Sequence, residues 1–175
     1  VSGIGRKPEL TACMGGEALT VTEPFVDIPL EATHHWLITN LLERLYSRYV
    51  IFNPVAAGHR VVHGGGEFYA PTVITKKTLA KLQSFVPLAP LHQQHSLAAI
   101  EAIADYSPEL LQIACFDTSF HHTQNRLEQL YAIPRKYSEE GIIRYGFLGL
   151  SYQSIANTLP DYLGDRAEGR VLVAH

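Results

Sequence analysis

Two periods of apolar and polar positions alternate along the chain. Glu9–Cys13 and Glu17–Thr22 read as strands, and Met14-Gly15-Gly16 between them predicts a hairpin. Pro24 and Pro29 mark an extended stretch. Thr33 then offers a helix cap, and Trp36, Leu37, Leu41, Leu42, Leu45, Tyr46 and Tyr49 follow helical spacing to about Val50. Ala56–His63 reads as a core strand ended by Gly64-Gly65-Gly66. A helix over Thr75–Val86 has Thr75 as cap and Leu79, Leu82, Phe85 and Val86 on its inner side. Pro87–His92 reads as a rigid connector, and a helix follows over roughly Gln94–Tyr106. Leu111–Asp117 is a strand, Asn125–Leu130 a short helix, and Ser151 caps a helix through Leu163. Arg170–His175 reads as a last strand. Strands and helices alternate after the hairpin, which predicts a layered α/β fold.

Composition narrows the class. The 175 residues suit one domain, and no linker long enough to divide them is visible. The 46% hydrophobic and 18% charged fractions are those of a globular protein. A net charge of −3 implies no basic face and argues against nucleic acid as partner. No apolar run approaches the ~20 residues of a membrane span. The opening residues lack the order of a signal peptide, and Cys13 and Cys115 match no metal or redox spacing. Two reduced thiols in a cytoplasmic protein are expected. The chain starts at Val1 and stops within an apparent strand at Val171–His175, so a fragment of a longer protein is expected.

Chemistry concentrates at two strand ends. On the first strand, Arg60 and Val62 share one face while His59, Val61 and His63 share the other. A guanidinium between apolar neighbours needs a partner. It is either half of a structural ion pair or a clamp for a carboxylate or phosphate. Asp117 follows Ile113-Ala114-Cys115-Phe116, at the carboxyl end of its strand, where open α/β sheets collect ligands. It either holds a ligand or metal there or caps the next turn with Thr118. His121 and His122 add to that polar cluster. Of the nine histidines, His59 and His63 would stand ~13 Å apart on a strand, too far to share a metal. In Arg144-Tyr145-Gly146-Phe147-Leu148-Gly149, the glycines mark special backbone ahead of a helix N-terminus.

Six segments together resemble the acetate kinase family, whose members phosphorylate short-chain fatty acids. They are Gly58–Gly65, Pro87–His92, Phe116–Thr123, Tyr131–Pro134, Arg144–Phe147 and the terminal Ala174-His175. The resemblance implies a ribonuclease-H-like, actin-like architecture truncated at both ends. Residues 1–175 would be the N-terminal acetate-binding domain, without its first strand and without the nucleotide domain. It implies transfer of the γ-phosphoryl of ATP to acetate with Mg²⁺, and homodimers built mainly through the other domain. Carried over by position, Arg60 matches the arginine gripping acetate and phosphoryl. Asp117 matches the essential aspartate, here expected to reach Mg²⁺ indirectly. Val62, Leu91 and Phe147 match the acetate pocket, and His92 a histidine near the phosphoryl path. His175 matches the first residue of a nucleotide phosphate loop.

Leu148 departs from the pattern. It stands where the family carries a histidine that steadies the transition state, and leucine donates no hydrogen bond. Little or no kinase activity is expected of this chain alone. The rival expectations are a non-catalytic binding or scaffold member of the family and a histidine-rich metal-binding domain.

Overall fold

The computed structural model of this chain describes residues 33–47 and 53–174 with side chains, and residues 9–14, 17–24 and 48 as backbone. Contacts divide the chain into two compact units, residues 1–55 with 98–110, and residues 56–97 with 111–175.

In the first unit, β1 (Glu9–Met14) and β2 (Glu17–Pro24) form the expected hairpin, antiparallel, with Thr11 opposite Thr22. The register slips between Ala12 and Met14. Helix α1 (His34–Arg48) begins where Thr33 Oγ1 accepts the Trp36 N–H at 3.2 Å. This is the predicted cap, and it satisfies a donor the first turn leaves orphaned. Leu37 is buried, and the rings of Tyr46 and Tyr106 meet at 5.6 Å. The Pro24–Pro29 stretch and the predicted last turn at Tyr49–Val50 lie largely outside the described residues.

The second unit is built on a three-stranded sheet. Strand β3 (Ala56–Val61) and the short β4 (Thr72–Val73) flank β5 (Leu111–Phe116). β3 runs parallel to β5, with Arg60 opposite Cys115 and Val61 opposite Phe116, while β4 runs antiparallel to β5. Period-two alternation appears as read: His59 and Val61 are buried while Arg60 faces out, and Gln112, Ala114 and Phe116 are buried on β5. Helix α2 (Lys76–Ser84) is capped by Thr75, whose hydroxyl accepts the Thr78 N–H at 3.1 Å. Its Leu82 joins Val61 and Phe116 in the core, together with Phe85 just beyond. Phe68 stacks on Phe116 at 5.4 Å and meets Phe85 edge-on at 6.2 Å.

Several boundaries differ from the sequence reading. β3 stops at Val61 because a side chain then takes over the backbone. The Gln93 amide accepts the His63 N–H and donates to the His63 carbonyl, each at 3.1 Å. The connector after α2 is one turn of 3₁₀ helix, Val86–Leu88. Helix α3 (Pro90–Tyr106) starts at a proline, which the first helical turn tolerates, so Leu91 and His92 are helical rather than connector residues. Asn125–Leu130 forms turns instead of a helix. Asn125 and Glu128 exchange the two bonds of a capping box, but only single turn bonds follow, Gln129 N–H to the Asn125 carbonyl and Leu130 N–H to the Leu127 carbonyl, and no helix propagates. A 3₁₀ turn at Ser119–Thr123 and α4 (Arg135–Glu139) went unread. Helix α5 (Gly149–Leu163) begins two residues ahead of Ser151, which lies inside it. Arg170–Ala174 is not a paired strand, and Leu172 stands 96% exposed.

Candidate functional site

Parallel pairing of β3 with β5 brings Arg60 and Asp117 together although 57 positions separate them. Arg60 Nε donates to Asp117 Oδ1 at 3.1 Å and to Oδ2 at 3.0 Å, and Nη2 donates to Oδ2 at 2.8 Å. The burial of the two partners is opposite: Asp117 is 1% exposed, whereas the Arg60 side chain is 65% exposed. The hydrogen bonds that Arg60 donates to Asp117, and then the charge of Asp117, raise the Arg60 pKa. A guanidinium has five N–H donors. Here the Nη1 pair and the second Nη2 hydrogen have no partner among the described residues. Arg60 is thus anchored from below and open above.

The Asp117 backbone is fixed as tightly. Its N–H donates to the Val61 carbonyl at 3.0 Å, and its carbonyl accepts the Gly149 N–H at 2.8 Å. Next to it, Thr118 Oγ1 accepts the Gly64 N–H at 3.0 Å. Close packing accounts for two of the glycines after β3: a Cβ on Gly64 would overlap the Phe68 carbonyl. Gly65 has a φ of +61°, and a Cβ there would meet the Phe85 ring.

His63 lies fully buried behind that turn. Its Nδ1 accepts the Gly65 N–H at 2.9 Å, which places the ring proton on Nε2. Its ring meets Tyr145 at 4.5 Å and Phe147 at 5.6 Å, both edge-on. His59 pairs with Gln112 Oε1 at 2.7 Å. Burial lowers the pKa of both histidines, the Gln112 bond opposing it in part at His59. Burial, with Tyr69 nearby, raises that of Tyr145.

The segment before α5 closes the group. Leu148, the N-cap of α5, adopts a left-handed conformation with φ 57°. A Cβ on Gly149 would overlap the Asp117 carbonyl, and one on Gly146 would overlap the His121 ring. His121 Nε2 donates to the Phe147 carbonyl at 2.8 Å. A small cavity of about 60 Å³ lies beside this turn, between Tyr69, Thr118, His121, Arg144 and Tyr145.

The expected site residues are therefore brought together unevenly. Arg60 and Asp117 are in contact, and Leu148–Gly149 is bonded to the Asp117 loop. Val62 is half-buried just past β3, and Phe147 is 43% exposed. Leu91 is 77% exposed and His92 exposed, both on the first turn of α3. No hydrogen bond, ion pair or ring contact joins either to Arg60 or Asp117 among the described residues. His175 lies outside them. Gln93 organises the site without any signal in the sequence; the sequence marks His63 only by its strand face and Gly149 only as special backbone, and neither foretells the bonds they make. Among the described residues, no three His, Cys, Asp or Glu side chains converge as a metal site. No helix there is long and apolar enough to cross a membrane.

Comparison with known proteins gives the family of the chain. The model of the acetokinase family matches residues 26–175. Acetate kinase of Rhodopseudomonas palustris (strain TIE-1) is 54% identical over 121 residues, covering 69% of this chain and 30% of that protein. Acetate kinase of Nitrobacter hamburgensis is 41% identical over 187 aligned residues, covering 100% of this chain and 43% of that protein. Among solved structures, acetate kinase from Entamoeba histolytica superposes with a TM-score of 0.72 at 30% identity, covering 90% of this chain and 38% of that one. A propionate kinase from Francisella tularensis gives 0.70 at 32% identity, covering 75% and 35%. The chain spans less than half the length of these relatives, and it shares their α/β, actin-like architecture. The order of the motifs, the fold and the family match coincide, and the chain belongs to the acetokinase family.

Proposed function

We propose that this chain is the carboxylate-binding portion, an N-terminal domain, of an acetate kinase. That enzyme would move the γ-phosphoryl group of ATP to acetate, giving acetyl phosphate and ADP. The carrying observation is Arg60, held from below by Asp117 and presenting outward N–H donors that no other described residue engages. A carboxylate of pKa ~4 is ionised at neutral pH and needs no base. Its oxygen attacks phosphorus directly, and the bond to ADP breaks with the electron pair leaving on ADP. The barrier is the repulsion of two anions, which an oriented guanidinium offsets. Both Asp117 oxygens face Arg60 in a buried position, so the aspartate acts here by aiming the arginine. Val62 and the exposed faces of Leu91 and Phe147 would form the apolar wall for the acid's methyl group.

Magnesium is the family's expected cofactor. The described residues do not fit it as direct ligands, since the one buried carboxylate is taken by Arg60 and no cluster of ligands converges. A contact through water would have to reach a lone pair that Arg60 leaves free, on a carboxylate only 1% exposed. His92 and His175 keep their expected roles within this reading, at the phosphoryl path and the nucleotide phosphates.

NMR titration with acetate and propionate tests the reading. Shifts at Arg60, Gly64 and Phe147 that vanish in Arg60→Ala support it. Absence of any carboxylate-dependent shift overturns it. No acetyl phosphate is expected from the isolated chain. Leu148 favours the second reading, a non-catalytic binding member, because its side chain offers the transition state no donor. Retained carboxylate binding without turnover, in a full-length protein carrying Leu148, would select that second reading.

A further inference from the structure

The 117–122 segment grips the 146–149 turn at two points. The Asp117 carbonyl holds the Gly149 N–H, and His121 Nε2–H holds the Phe147 carbonyl. We propose that His121 is a positioning residue that sets where the Phe147 ring stands, and with it the length of carboxylic acid the site accepts. The inference rests on the carboxylate reading above.

Three observations carry it. First, the His121 ring is itself fixed: it meets Tyr152 edge-on at 5.6 Å and Phe120 edge-on at 5.4 Å. It also occupies the space a Cβ at Gly146 would need, so the glycine admits the ring to the backbone of the turn. Second, Phe147 has little else to hold it. The residue is 43% exposed, and its ring contact among the described residues is His63 at 5.6 Å. Third, the backbone beyond it is unusual. Leu148 is left-handed and Gly149 is pinned to Asp117, so a released Phe147 carbonyl lets the turn relax towards ordinary dihedral angles.

Discrimination in an apolar pocket is worth about 10-fold or more per methylene, and it depends on a wall that stays in place. The test is competitive NMR titration of the chain with acetate and butyrate, following the Gly146–Gly149 amides, in wild type, His121→Leu and His121→Gln. Leucine removes the donor; glutamine places an amide N–H at similar reach. We expect the affinity ratio to move towards butyrate by about threefold or more in His121→Leu. In His121→Gln it should stay within about twofold of wild type. A simple loss of stability would lower both affinities together and leave the ratio alone. An unchanged ratio in His121→Leu, or failure of glutamine to restore it, overturns the inference. A wild-type chain that binds no carboxylate overturns the functional reading and this inference with it, a result distinct from binding with an unmoved ratio.

Discussion

Arg60 and Asp117 form one unit with two faces: a carboxylate sealed at 1% exposure and a guanidinium 65% open to water. Three hydrogen bonds of 2.8 to 3.1 Å join them. The asymmetry sets the outcome of mutation. Arg60→Ala leaves a buried charge without its partner, at about 1–3 kcal/mol. Asp117→Asn keeps the shape and an acceptor oxygen, and costs less. Removing both should cost less than the sum, with a coupling of about 0.5–3 kcal/mol in a urea double-mutant cycle. Additive single effects would show that the pair contributes no interaction of its own.

Much of this was legible in the sequence because it depends on short-range rules. Alternation along Ala56–Val61 told which side Arg60 takes, and Thr33 and Thr75 declared their helices through side-chain chemistry. What stayed hidden depends on distant partners. Nothing in the chain around His63 announces that Gln93 will capture its backbone and end β3. The glycines around Phe147-Leu148 marked special backbone but not its form, since the left-handed conformation at Leu148 follows from the two bonds that hold its neighbours to the Asp117 loop. Ser151 looked like a cap and is not one, because Gly149 must lie against the Asp117 carbonyl before the helix can begin.

Stability should depend on pH through the buried histidines. The unfolded chain holds them near 6.5, and burial sets His59 and His63 lower in the folded state. Below 6.5 the unfolded chain therefore takes up protons that the folded chain refuses. Their contribution is complete above that pH and is lost as pH falls through it, by at most about 1.4 kcal/mol per pH unit for each group. Urea midpoints should drop between about pH 7.5 and about pH 5.5. His63→Asn, whose side-chain oxygen can still accept the Gly65 N–H, should be less stable at neutral pH and show a shallower slope. Equal slopes in the two proteins would contradict the assignment.

Glycines in the second unit should separate cleanly by position. A methyl group on Gly149 would overlap the Asp117 carbonyl, and one on Gly64 would overlap the Phe68 carbonyl, both backbone atoms that yield little. Each alanine variant should lose about 1–3 kcal/mol in chemical denaturation. Gly58 has nothing within 4 Å of its would-be Cβ, so Gly58→Ala should be neutral or gain about 0.4–1 kcal/mol from a less flexible unfolded chain. A Gly149→Ala protein as stable as wild type would mean that the Asp117 loop is free to move.

Leu148 offers a sharper probe of that same turn. At φ 57° an L-residue already carries about 1–2 kcal/mol of strain, and β-branched side chains fit this region worst. Leu148→Val removes one methylene, worth about 0.8 kcal/mol if buried. It also adds a branch at Cβ, which left-handed backbone crowds. The combined loss should exceed the methylene alone, reaching about 2 kcal/mol by urea denaturation. Leu148→Asn loses more apolar surface yet tolerates left-handed backbone, so it should destabilise less than valine does. Were the order reversed, with asparagine the worse of the two, apolar contact rather than backbone shape would govern this position. The pinning of Phe147 and Gly149 to the Asp117 loop would then impose no strain between them.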